Sequence, residues 1–356
     1  MQVNSMRTPI SPKWHKKASA LWWIAVAVIG CALLFLYGLT PKQPLFPDPG
    51  SRDRIDDRPE PRRAGESSEP QRIVVMDWNN IEMLLALGLS DRIVIACIDD
   101  PRQIADLKAR YPEEFSKIQT IVSDRVSLET VLAATPDMIF ARRSAFSPSR
   151  LQTVDWWQKR GVATYSPATS NTREPQTIER ELQYIRDVGA IFGRPERASS
   201  MADAMEKEVR EIQQETADLP PLKVLVLEGH PSRYLVSFDP RWLIGDFLHA
   251  LGVRMIPDVP FRGVERLLLL DPDVIFVEYF DDNTAAFIEE LRRDPKYNAL
   301  RAVQNQRVYP LPVHLMYMPG PRIAEGLRYI AHALYPRLDG GEEAKGGKRI
   351  SASGEK

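Results

Sequence analysis

Apolar and polar positions divide the chain into five stretches of different character. Residues 21–39, LWWIAVAVIGCALLFLYGL, form one uncharged apolar run. At 1.5 Å per residue such a run is about long enough to cross a bilayer core of roughly 30 Å. Residues 1–20 before it carry Arg7, Lys13, Lys16 and Lys17 and no acid, which places them in the cytoplasm and the remainder of the chain outside. Residues 40–71 contain seven prolines and mixed charges, a composition that buries no core and reads as an extended tether. Residues 339–356, rich in Gly, Ser, Glu and Lys, read as a disordered tail. Between tether and tail, residues 72–338 alternate short β-branched runs with amphipathic stretches.

That alternation predicts strands at 72–76, 92–98, 118–122, 137–141 and 162–166, separated by helices at 79–88, 101–109, 128–134 and 148–160, the first capped by Asn79 or Asn80. A second series predicts strands at 223–228, 253–256, 273–278 and 307–309, with helices at 240–251, 264–270, 283–293 and 320–335. Strands that alternate with helices build a mostly parallel sheet covered on both faces. The fold class is therefore α/β, with one lobe over 72–175 and another over 218–338. Residues 176–217 between them predict a helix at 176–192, a break at Gly193-Arg194-Pro195, and a longer helix to about Thr216. Ala198, Met201, Met205, Val209 and Ile212 give that helix one apolar stripe, so the lobes are expected to be joined by a long rigid helix.

The two series echo each other. ETVLAATPDMIF at 129–140 and ERLLLLDPDVIF at 265–276 agree at six of twelve positions with a constant offset of 136. In both, a helix ends near Pro-Asp, because proline cannot continue it and aspartate holds the turn into the next strand. Two like lobes leave a ligand cleft between the strand-end loops.

Charge and composition narrow the chemistry. A formal net charge of −1 argues against nucleic acid as a partner. Two cysteines, Cys31 and Cys97, supply neither a disulfide framework nor a cysteine metal site. Val28-Ile29-Gly30-Cys31 has the form of a lipobox, but the apolar run continues past the cysteine, so an uncleaved signal anchor is the preferred reading over a lipidated Cys31. Gly-rich phosphate loops, Gly-x-Ser-x-Gly elbows and His-Glu-x-x-His helices are missing from the sequence, and no enzyme chemistry is expected.

Candidate ligand residues lie on loops that should open on the cleft. Trp78 ends the first strand beside Asp77. Arg142 and Arg143 follow the strand at 137–141, and Arg125 precedes the helix at 128–134. Arginine offers a planar fork of donors and a charge that does not titrate, suited to an anionic, oxygen-rich ligand. Glu278, Tyr279 and Phe280 occupy the matching edge of the second lobe. His230 and His314, with Tyr317, Met316 and Met318, leave haem iron or a direct metal ligand open, although the first lobe contains no histidine. Cys97, within a strand, reads as a buried inert thiol. His249 and His332 fall inside helices and read as structural.

Several segments resemble the substrate-binding proteins of bacterial ABC importers for ferric siderophores, vitamin B12 and haem: RIVVMDWNNIEMLLALG, the paired SLETVLAATPDMIFA and GVERLLLLDPDVIFV, DPKYNALRAVQNQRVYPL, and GPRIAEGLRYIAHALYP. The resemblance covers about 72–336. It implies a periplasmic receptor that holds an iron chelate and presents it to an ABC permease and its ATPase, with no cofactor of its own. It also implies that Glu129 and Glu265, each a first-turn helix acid, dock onto permease arginines. Haem, cobalamin or a bare divalent metal remain as alternative ligands, and a membrane-anchored sensor as an alternative role.

Overall fold

A computed structural model describes residues 69–122, 126–171, 173–228, 236–257, 264–279, 282–317 and 319–338. The basic segment, the apolar run, the tether up to 68, the tail, and Arg125, His230, Phe280 and Met318 lie outside the described residues. Strands β1 (Ile73–Met76), β2 (Ile93–Cys97), β3 (Ile121–Val122), β4 (Met138–Phe140) and β5 (Ala163–Tyr165) form one sheet in the order β3-β2-β1-β4-β5. Strands β6 (Lys223–Leu227), β7 (Arg254–Met255), β8 (Val274–Tyr279) and β9 (Val308–Pro312) form a second, ordered β7-β6-β8-β9. Every pairing in both sheets is parallel. Parallel strands need helical crossovers on both faces, which is why the runs IVV, IVIAC and KVLVL are apolar almost throughout rather than alternating.

Side-chain parity sorts the strand residues into cores. Ile73, Val75, Phe140, Val224, Val226 and Phe276 enter one large core that both sheets share with the helices between them. Their neighbours Val74 and Ile139 enter a separate cluster on the other face of the first sheet. Leu225, Ile275 and Val277 do the same for the second.

The internal echo has a common mechanical cause. In the first copy, the helix Leu128–Ala133 is capped by the Ser127 hydroxyl, which accepts from Thr130 N. It ends at Thr135 with φ 44°. Asp137 then accepts from Arg72 N at 3.0 Å, and the Arg72 side chain returns to the helix end by donating to Ala134 O at 2.6 Å. In the second copy, the helix Val264–Leu270 ends at Asp271 with φ 39°, Asp273 accepts from Lys223 N at 2.8 Å, and Lys223 Nζ donates to Leu270 O. A basic residue at the start of the central strand thus satisfies the orphan carbonyls of the helix beside it. Asp137 also binds Gln71 N at 2.8 Å, and Glu69 pairs with Arg92 at 2.7 Å. Residues 69–71, expected in the tether, are therefore part of the folded body.

Two helices separated by a break lie between the sheets in sequence. Ile178–Ile191 and the 22-residue Pro195–Thr216 turn back on each other at Gly193. A Cβ on Gly189 would lie 2.1 Å from that of Ala198, so glycine permits their close approach. The expected stripe of the longer helix faces the shared core. Other differences from expectation are local. The helix expected at 148–160 is only Val154–Gln158, and the strand at 118–122 is only Ile121–Val122. Asn79 and Asn80 do not cap the helix Trp78–Ala86 but lie buried inside it. Asn80 accepts from the Tyr184 hydroxyl at 2.9 Å.

A buried ion pair ties the first helix to the last. Glu82, fully buried, meets Arg322 at 2.7 Å, and Arg322 is 2% exposed. Arg322 begins the last helix, Ile323–Leu334, as its N-terminal flank. Asp106 pairs with the same guanidinium. The Tyr111 hydroxyl donates to Glu82 at 3.2 Å, while Arg110 lies 3.9 Å from Glu82 and 3.0 Å from Glu325. Burial pushes the Glu82 carboxyl upward, and Arg322 is the main force opposing it. Removing one partner leaves a buried charge uncompensated, so Arg322→Met is expected to cost about 3–5 kcal/mol in urea unfolding. Adding Glu82→Leu to that variant should restore much of the loss; strictly additive costs would show that the pair is not coupled.

Candidate functional site

The C-terminal ends of parallel strands from the two sheets bring five side chains together. β1 runs directly into the helix Trp78–Ala86 through Asp77, whose φ of 71° lies in a region a non-glycine residue occupies at a cost of order 1–3 kcal/mol. The strain aims its carboxylate at the end of β4. There Arg142 N donates to Asp77 at 3.1 Å, and Arg142 Nε pairs with it at 2.7 Å. The Tyr317 hydroxyl lies close enough to the Arg142 guanidinium to favour its charge, and Tyr317 follows β9 through the short helix Val313–Met316. Burial opposes the charge of Arg142, but Asp77 and Tyr317 more than offset it and hold the guanidinium above its ordinary range. For Tyr317 the balance is reversed: burial raises its hydroxyl pKa despite Arg142.

Aromatic pairs occur on the segments that carry this bridge. Trp78 and His314 meet edge to face with centroids 5.9 Å apart, and the Arg322 guanidinium sits 5.2 Å from the Trp78 ring. Tyr317 lies 5.9 Å from Trp242, which lies 6.1 Å from Phe238. Burial, and then the charge of Arg322, lower the pKa of His314, so its imidazole is neutral at pH 7.

Arg142 and Tyr317 thus lie close together, and Trp78 and His314 form a second contact pair. Arg143 opens a short turn, Arg143–Ala145, and is half-buried. Tyr279 does not join the group: strand parity turns it onto the cluster beneath the second sheet, with Ile275 and Val277. Glu278, one residue earlier, takes the opposite parity. Burial and the nearby Glu228 push its carboxyl up to about 8. Cys97 is buried, and burial raises its thiol to about 12, in keeping with an inert residue. Among the described residues no group of three or more His, Cys, Asp or Glu is placed to hold a metal ion.

Sequence reasoning missed four participants. Trp242 carried the signal of a tryptophan immediately before a helix, Leu243–Ala250. Arg322 and Glu82 stood in quoted segments, but a lone acid within IEMLLALGL was itself a sign of a buried partner. Glu181 was also missed. It is fully buried, accepts from Gly320 N at 3.4 Å, and is pushed up to about 7 chiefly by burial. Thr169 is close enough to favour its charged form, yet Thr169 Oγ1, Gln176 Oε1 and Glu181 Oε1 make no hydrogen bond.

Two parallel sheets with aromatic and charged side chains gathered at their strand ends define a binding protein rather than a structural domain, and comparison identifies which class. The chain belongs to the periplasmic binding protein family, whose model matches residues 73–315; this is the family of ABC-importer receptors that the sequence segments resemble. An uncharacterized ABC transporter substrate-binding lipoprotein of Bacillus subtilis (strain 168), YvrC, is 24% identical over 75% of this chain and 81% of its own length. The crystal structure of a periplasmic binding protein from Veillonella parvula DSM 2008 is 30% identical, with a TM-score of 0.69 over 76% of this chain and 86% of that one. An ABC-type Fe3+-hydroxamate transport system protein from Saccharomonospora viridis DSM 43017 shares the fold at 18% identity and a TM-score of 0.59, covering 75% and 94% of the two chains.

Glu181 and Glu278 set a pH dependence of stability. Both have folded pKa values, about 7 and about 8, above their ordinary 4.5. The folded state therefore holds protons that the unfolded state releases, and their contribution is present below about pH 4.5 and lost as pH rises through 7 and 8. Urea unfolding between pH 5.5 and 8.5 should show this decline, and Glu181→Gln with Glu278→Gln should flatten it. Parallel profiles for variant and wild type would assign the decline to other groups.

Proposed function

We propose that this protein is the membrane-tethered extracytoplasmic receptor of an ABC importer, and that it captures a ferric-siderophore-type chelate between two lobes and presents it to the permease. The observation that carries the ligand class is the Arg142 side chain, 42% exposed, near a Tyr317 that packs on Trp242, with the Trp78–His314 pair on the adjoining strand-end segments. A chelate offers anionic oxygens to the guanidinium and an apolar periphery to the rings. Arg143 adds a second cation to the proposed ligand surface, Arg125 and His230 are proposed to contribute from outside the described residues, and Glu129 and Glu265 dock onto the permease. The two helices between the sheets serve as a stiff connection, so capture proceeds with small closure rather than a wide hinge.

Attachment follows one of two routes: the run 21–39 as an uncleaved anchor, or a lipid on Cys31. The lipoprotein relative favours the second. Cys31→Ser distinguishes them, since the anchor keeps the variant in the membrane fraction and the lipid route releases or mislocalises it.

Tryptophan quenching with ferric hydroxamate and catecholate siderophores, haemin, cobalamin, and Mn and Zn salts tests the ligand class. A siderophore is expected to bind, with Arg142→Ala weakening it roughly ten- to hundredfold and His314→Ala changing it little. Loss of binding in the histidine variant alone would overturn the siderophore reading in favour of metal or haem coordination.

A further inference from the structure

Five large apolar side chains are exposed among the described residues: Ile121, Leu132, Val236, Leu268 and Leu269. Three of them lie on the two short helices of the internal echo, Leu128–Ala133 and Val264–Leu270. The burial patterns of these helices match position by position. Val131 and Leu267 are fully buried and seat each helix on its own core. Glu129 and Glu265 are exposed, and one turn further on so are Leu132 and Leu268, at 40% and 36%. At the next position the copies differ: the first has Ala133 and the second Leu269, which is 79% exposed. Neither glutamate has an ion-pair partner among the described residues. The nearby backbone N–H of its own residue and the Ser127 hydroxyl lower the Glu129 pKa.

An acid and a leucine three residues apart share one helix face. Each copy therefore presents the same small motif, a carboxylate with an apolar contact beside it. Solvated leucines at matching positions of a diverged repeat have no role in either core, because Val131 and Leu267 already fill it. Exposed apolar groups beside unpaired charge mark an interaction surface. Since the motif occurs twice in like settings, its partner must offer two like sites, each a basic group beside an apolar hollow. A permease built from two equivalent subunits meets that requirement.

We propose that Leu132, Leu268 and Leu269 are the apolar anchors of permease docking, with the second helix the stronger because Leu269 replaces Ala133. This rests on the docking of Glu129 and Glu265 proposed above and assigns to the leucines the part of the contact that charge does not supply. Exposed ion pairs are worth little and fade with salt, whereas a leucine buried at an interface keeps its contribution.

The test uses the full-length protein in its own membrane. A photo-cross-linking phenylalanine replaces Leu132, Leu268 or Leu269 in turn, and mass spectrometry identifies each adduct. Adducts with an ABC permease subunit from all three positions are expected. Adducts only with a second copy of this chain, or no protein adduct, overturn the proposal. With the probe at Thr130 or Arg266, Leu132→Gln should lower the permease adduct about tenfold, the size of one lost leucine contact, and Leu268→Gln/Leu269→Gln should lower it further, with thermal melting unchanged. Full yield in the leucine variants, with loss in Glu129→Gln/Glu265→Gln, overturns the apolar anchors and leaves charge docking standing. Loss in the leucine variants with full yield in the glutamate variants overturns charge docking and leaves the anchors.

Discussion

The contact between Glu82 and Arg322 constrains the molecule more than any other single interaction. It joins a helix that follows the first strand to a helix that closes the fold, 240 residues later in sequence. Neither charge has enough water to stand alone, so the two segments must meet whenever either is buried. The last helix packs against the longer connecting helix, where Arg328 pairs with Glu208 and Glu215. Through that chain of contacts the position of the second sheet is tied to the first at the back. At the front, the Arg322 guanidinium faces Trp78 and adds to the burial that lowers the His314 pKa. One buried cation thus ties the last helix to the first and reaches the edge of the candidate site.

The two sheets are alike because a single turn is built twice. Positive φ at Thr135 and Asp271, aspartate at 137 and 273, and a basic residue at the head of the central strand form one closed set of hydrogen bonds in each copy. That set holds the short preceding helix against the sheet and dictates which of its residues face out. The exposed glutamate and leucine are consequences of the same register that buries Val131 and Leu267. Divergence between the copies is then free to act on the outward positions, and it has done so at 133 and 269.

The α/β class, the order of elements and the repeat were legible because they depend on period and on Pro-Asp punctuation, which are local signals. Helix Val264–Leu270 and the break at Gly193-Arg194-Pro195 could be placed to the residue for that reason. Arg142, Trp78, His314 and Tyr317 were legible as a group because all lie just past the ends of parallel strands. Side-chain direction was not. Tyr279 follows a strand end too, but one residue of parity separates the face of Glu278 from the face of Val277. Asn80 has the composition of a cap, yet its partner Tyr184 lies 104 residues away, beyond any local pattern. Trp242 likewise reaches the group only through Tyr317.

Arg142 is already satisfied in this structure, and that limits what can bind beside it. Asp77 holds one side of the guanidinium with a charge-assisted contact at 2.7 Å, from a backbone conformation that has no other evident purpose. The Tyr317 hydroxyl lies near another side. A ligand that is neutral at the point of contact gains little over the tyrosine it displaces. An anionic oxygen gains more, because it brings to the guanidinium an opposite charge that a hydroxyl lacks. Asp77 thus orients the arginine, and Tyr317 would set the threshold an entering group must exceed. On the proposed reading, that threshold admits hydroxamate, catecholate or carboxylate oxygens and turns away molecules that offer only hydroxyls or amides. The surrounding rings select for bulk without adding a second charge requirement.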